Sequence, residues 1–216
     1  MPQSSGRARS ALLTLALALI PAAAAADNKE GSIELGLAAT FIRFDSQAEM
    51  DHRFGPTFHL GYNFTKRHGA ELSFTSVTAT PNSGPSFPID VDVARLGYVF
   101  NAYPRERMVS FFRFGVGAWK IDPEPHPRAP ERISDPDNNL LLYSGGGVRF
   151  FLHDRLAVRF AATVDAVDFG DGILNPDIHA SGDFGLVFLL GGRDAAEPSG
   201  ETEAPTEPPS ETPDGR

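Results

Sequence analysis

Between residues 156 and 167 the chain alternates. Leu156, Val158, Phe160, Ala162, Val164 and Ala166 share one parity; Ala157, Arg159, Ala161, Thr163, Asp165 and Val167 share the other. A period of two puts these sets on opposite faces of a strand, whereas a helix would place Arg159 and Asp165 on no common stripe with the small residues. The same reading predicts strands at 31–44, 54–64, 69–78, 91–101, 109–120, 140–152, 156–167 and 178–190. These are about 10–14 residues long, against about 5–6 for a strand of a soluble protein and about 9–11 for a tilted strand crossing hydrocarbon. Strand length therefore points to a membrane.

The connections carry the same message. Long segments at 45–53, 79–90, 121–139 and 168–177 alternate with short ones at 65–68, 102–107 and 153–155. An up-and-down barrel with both termini at one end must collect its long loops at the other end, the arrangement of outer-membrane barrels. Bulky residues fall on one parity, among them Leu37, Phe58, Phe74, Leu96, Phe112, Phe114, Phe160, Phe184 and Phe188. The opposite parity collects Gly36, Gly61, Gly97, Gly115, Gly145, Gly147 and Gly185 with Glu34, His59, Glu71, Arg95, Arg113, Arg149, Arg159, Asp165 and Asp183. An eight-stranded interior is only wide enough for side chains to fill it. A lipocalin-like soluble barrel would force the bulky set inside, so the reading turns inside out, with small residues and paired charges in the lumen. Tyr62, Phe64, Tyr98, Phe100 and Phe150 fall near the short turns, where an interfacial aromatic girdle belongs.

Composition narrows the chemistry. The chain has no Cys, which excludes disulfides, thiolate metal sites and a lipoprotein anchor. A formal charge of −9 argues against nucleic acid as a partner. The two ends do not belong to the barrel. Arg7 and Arg9, the apolar run 11–20 and Ala24-Ala25-Ala26 read as a signal peptide over 1–26, the run being too short to span a bilayer. Residues 191–216 are rich in Pro and acidic side chains, too poor in apolar surface to order, and read as a disordered tail after a barrel at 27–190.

With these features in place the chain resembles the OmpA-type family of small eight-stranded outer-membrane β-barrels over about 31–190. The last strand, Asp183-Phe184-Gly185-Leu186-Val187-Phe188-Leu189-Leu190, resembles the family's assembly signal, with Leu190 where an aromatic residue is usual. The resemblance implies a monomeric, all-β, antiparallel transmembrane barrel in a bacterial outer membrane, contact with outer-membrane lipids, and recognition of the last strand by the barrel-assembly machinery. Wall-binding members carry a Pro-rich linker before a further domain; only the linker-like part is present here, so no wall-binding domain is inferred.

Three groups of residues are candidates for chemistry. The inward charges, Arg95, Arg113, Arg149 and Arg159 against Glu34, Glu71, Asp165 and Asp183, with His59 among them, read as salt-bridge ladders plugging the lumen, because a buried charge must be paired. A narrow pore with re-pairing bridges is the functional alternative. His179 and Ser181 form a His-x-Ser pair such as lipid A acyl hydrolases use, but their parity points inward, away from any acyl chain. Asp122, Glu124, His126, Glu131, Asp135 and Asp137 stand in a Pro-punctuated loop without the spacing of a calcium site. No catalytic, metal or cofactor site is expected.

The long loops are acidic, while the short turns hold Lys66, Arg67, Arg105, Arg107 and Arg155 against Glu106 and Asp154. An acidic rim reaches lipopolysaccharide phosphates only through a divalent-cation bridge. The expected role is envelope-structural or surface-interacting, carried by four extracellular loops, with a small-solute channel as the alternative.

Overall fold

The structure, a computed structural model, describes residues 28–82, 86–104, 107–124, 137–168 and 176–193. The signal-peptide reading, most of the acidic tail and the acidic part of the 121–139 loop lie outside the described residues.

The strands are β1 (Glu30–Arg43), β2 (Arg53–Asn63), β3 (His68–Ala79), β4 (Ile89–Ala102), β5 (Met108–Pro123), β6 (Asp137–His153), β7 (Leu156–Val167) and β8 (Asp177–Arg193), with one 3₁₀ turn at Ser46–Ala48. Each pairs antiparallel with the next, and β1 pairs with β8 from Glu30↔Arg193 to Arg43↔Ala180, closing the barrel. All eight strands stand where alternation places them. The long-loop ends of β5 and β6 run further than the alternation suggests, held by pairs such as Ile121↔Asp137 and Lys120↔Asn138. Strand β8 continues past Leu190 to Arg193, because Gly191 and Arg193 still pair with Ser32 and Glu30.

The pleat sorts side chains as expected around the middle of the barrel. Leu37, Phe58, Phe74, Leu96, Phe112, Phe114, Phe160 and Phe184 are exposed on the outer wall, Leu37 by 69% and Phe112 by 61%. Arg95, Arg113, Arg149 and Arg159 are buried in the lumen.

The lumen departs from the sequence reading at its two ends, where apolar side chains pack inward instead of charges and glycines. At the long-loop end, Ile42, Phe44, Met50, Val77, Ile89, Val91, Val93, Trp119, Ile121, Leu141, Tyr143 and Val167 form one buried cluster. The outward residues between them are Thr78, Asp90, Asp92, Lys120, Asp122 and Asn138. Along β4 the parity never slips, yet the chemistry inverts: Val91 and Val93 point in with Asp92 out, then Arg95 points in with Leu96 out. The inversion marks the level at which the outside changes from acyl chain to water. Above it the barrel obeys the ordinary rule of apolar inside. A smaller cluster of Val109, Phe151, Ala157, Val187 and Leu189 closes the short-turn end.

The inward glycines make room for this filling. A Cβ on Gly147 would stand 2.1 Å from the Phe160 carbonyl oxygen and 2.8 Å from Cζ of Phe111. Gly147→Val is expected to abolish the folded form, read as loss of the heat-modifiable band on an unboiled gel. Ala162→Val, on the outward wall, is expected to leave that band intact.

Candidate functional site

The charged middle of the lumen is a single connected network centred on Glu71 of β3. Arg113 Nη1 donates to Glu71 Oε1 at 2.7 Å, and Arg159 Nη2 donates to the same oxygen at 2.9 Å. Arg159 Nη1 donates to Glu71 Oε2. His59 Nδ1 stands 3.6 Å from Glu71 Oε1. From Arg113 the network runs on through Nη2, which donates to Asp183 Oδ2 at 2.7 Å and to the Thr163 hydroxyl. Asp183 Oδ1 accepts from Thr40 Oγ1 at 2.9 Å. Thr40 joins Thr57, and Thr57 joins Thr75 at 2.7 Å, a hydroxyl ladder across β1, β2 and β3.

Two further ion pairs flank the centre. Towards the long loops, Arg95 grips Asp165 with two parallel bonds, Nε to Oδ1 at 2.8 Å and Nη2 to Oδ2 at 2.6 Å. This fork geometry is the strongest a carboxylate offers. Towards the short turns, Arg149 Nη1 meets Glu34 Oε1 at 2.9 Å and donates to Asn101 Oδ1 at 3.1 Å. Asn63 Nδ2 donates to Glu34 Oε1 at 2.7 Å and to Ser32 Oγ at 3.0 Å.

Arg149 and Arg159 are directly opposite across β6 and β7, a like-charge pair that is unfavourable by itself. Two devices relieve it. Arg149 pairs with Glu34 and Arg159 with Glu71, and both guanidinium groups lie against the Phe111 ring, 4.7 and 4.6 Å from its centroid. Four arginines thus meet four carboxylates, and all nine charged or ionisable residues named from the sequence lie in the lumen. Sequence reading missed the neutral members, Thr40, Thr57, Thr75, Thr163, Asn63 and Asn101. They share the inward parity of the charges, and only the cross-strand register shows which of them touch.

The remaining candidates resolve geometrically. His179 and Ser181 both point inward on β8 and are buried. His179 Nδ1 accepts from the Asp45 backbone amide at 3.0 Å, and the ring stacks on Trp119 at 4.5 Å. The His179 ring also lies against Phe44 of the apolar cluster at the long-loop end, and neither His179 nor Ser181 faces the outer wall. Among the described residues no three His, Asp or Glu side chains are placed to hold a metal ion. The acidic loop at 125–136 lies outside the described residues.

A model of the family described as outer membrane protein beta-barrel domain matches residues 11–186. No curated protein sequence matches the chain. Among solved structures, the outer membrane protein OprG from Pseudomonas aeruginosa is 12% identical, aligning over 77% of this chain and 99% of its own with a TM-score of 0.52. Neisserial surface protein A is 9% identical, over 74% of this chain and 95% of its own, with a TM-score of 0.50. At these identities the likeness is one of fold.

Removing Glu71 leaves Arg113 and Arg159 short of an acceptor in a buried setting, and breaking such a pair costs about 3–5 kcal/mol. Glu71→Ala is therefore expected to lower unfolding stability in urea by about that amount. Glu124→Gln, on an exposed residue, is expected to stay within about 0.5 kcal/mol of the parent. A double variant, Glu71→Leu with Arg159→Met, is expected to lose less than the sum of its singles.

Proposed function

The chain belongs to the outer membrane protein beta-barrel domain family, and from that premise we propose that it is a non-catalytic barrel of the bacterial outer membrane. In this reading the lumen is a structural plug, and the working surface is the set of four long loops held outside the cell. The observation that carries the proposal is the closed lumen. Its charges are consumed by one another, and an apolar cluster lies across it at either end. A conducting path would have to break several buried pairs together.

The same reading places both termini in the periplasm, since the chain enters at β1 and leaves at β8 on the short-turn side. The barrel acts as a monomer, because closure of β1 on β8 leaves no open sheet edge. A catalytic role is set aside because His179 and Ser181 face the lumen. A divalent-cation bridge to lipopolysaccharide phosphates would draw on the outward Asp90 and Asp122, paired across β4 and β5, and would compete with Lys120 Nζ, 2.9 Å from Asp122 Oδ2.

Two measurements test the proposal. In planar bilayers the purified full chain is expected to give no discrete conductance steps. Reproducible steps that change in Arg159→Gln or Glu71→Gln would overturn the plug in favour of a narrow, gated channel. The absence of native Cys makes orientation equally testable. Ser46→Cys, in the exposed 3₁₀ turn of a long loop, is expected to label on intact cells with an impermeant maleimide, and Thr65→Cys, in a short turn, only after lysis. The reverse pattern would invert the barrel.

A further inference from the structure

The short-turn end repeats one arrangement three times. Arg67, Arg107 and Arg155 each immediately precede an outgoing strand, β3, β5 and β7 respectively. Each backbone carbonyl accepts the amide of a residue on the next strand, β4, β6 or β8: Arg67 from Asn101 at 2.7 Å, Arg107 from Phe151 at 2.8 Å and Arg155 from Leu189 at 2.8 Å. The three arginines therefore occupy equivalent, backbone-pinned positions around one rim. Lys29 holds the same place in sequence before β1.

All three arginine side chains are exposed, and among the described residues none is paired with a carboxylate. Each cation also follows an exposed apolar residue in the same turn or at the end of the strand that enters it. Phe64 precedes Arg67, Tyr103 precedes Arg107 and Leu152 precedes Arg155, with exposures of 51%, 78% and 48%. An apolar anchor in the interface with a cation just beyond it is the arrangement that seats a protein at the phosphate level of a bilayer.

We infer that the Arg67–Arg107–Arg155 ring is a binding surface for the phosphate groups of anionic phospholipids in the leaflet at the short-turn end. The inference rests on the orientation proposed above only for naming that leaflet as the periplasmic one. Repetition on three hairpins, each beside its own apolar anchor, fits a ring of lipid molecules. The other anionic occupant within reach is the chain's own tail, 194–216, which starts from Arg193 at the same end and carries seven acidic residues. One tethered strand of charge does not account for apolar anchors on every turn. The inference also opposes what bulk charge implies, since a chain of net charge −9 should on average repel anionic lipid.

The test is the relative association of spin-labelled phosphatidylglycerol and phosphatidylcholine with the folded full chain in nanodiscs, where protein orientation has no effect. At low salt the wild type is expected to prefer phosphatidylglycerol by about fivefold, the factor corresponding to ~1 kcal/mol for a basic residue near an anionic surface. The preference is expected to fall to none in R67Q/R107Q/R155Q, shown to be folded by its heat-modifiable band, and in wild type at 1 M salt, where screening is nearly complete at about 3 Å. No preference in wild type, or an unchanged preference in the triple variant, overturns the inference. A preference that emerges only after deletion of 194–216 overturns it in favour of the tail as occupant. A failed labelling experiment on cells would invert the barrel but leave these outcomes readable.

Discussion

Everything in this barrel depends on neutralising charge inside a tube that faces hydrocarbon outside. A guanidinium or carboxylate in such a lumen has no bulk water to fall back on, so each must find its counter-ion within the sheet. Glu71 is the point at which this is settled, because two arginines from β5 and β7 converge on its carboxylate from across the lumen. Strands far apart in sequence are thereby joined through the middle as well as along the wall. The hydrogen-bonded ladder fixes neighbours; the ion pairs fix opposites.

The second organising fact is the inversion of polarity along strands whose pairing never slips. In β4 the same inward parity carries Val91 and Val93 and then Arg95, while the outward parity carries Asp92 and then Leu96. One strand thus satisfies two solvents in turn. The apolar cluster around Trp119 caps the charged section and ties the chain after β1 to it, since Phe44 packs edge-on against Trp119 and the Asp45 amide bonds to His179. The base of the first long loop is anchored by the same residues that close the tube. The lumen and the loop end are therefore one mechanical unit.

Much of this was legible in the sequence, for a physical reason. Period-two alternation is local, and a strand exposed to lipid on one face and packed on the other writes it strongly, as in 156–167. The alternation of long and short connections then left one topology. The charges of the lumen were legible as a set because Arg95, Arg113, Arg149 and Arg159 share a parity with Glu34, Glu71, Asp165 and Asp183. Their partners were not, because pairing depends on register and tilt: Arg113 meets both Glu71 and Asp183, and Arg95 meets Asp165, across different distances around the wall. The apolar ends of the lumen escaped notice because Val91, Val93 and Ile121 look like ordinary strand residues until the level of the membrane is known. The equivalence of Arg67, Arg107 and Arg155 also needed the structure, since it lies in which amide each carbonyl receives.

The most direct test of the closed lumen is the exchange of arginine side-chain protons with water, followed by NMR in nanodiscs. If Arg113 is locked between Glu71 and Asp183, and Arg159 onto Glu71, their guanidinium protons will exchange far more slowly than those of Arg67 or Arg155 on the rim. Equal, fast exchange at all four sites would mean that water moves freely through the lumen, and the plug would not exist.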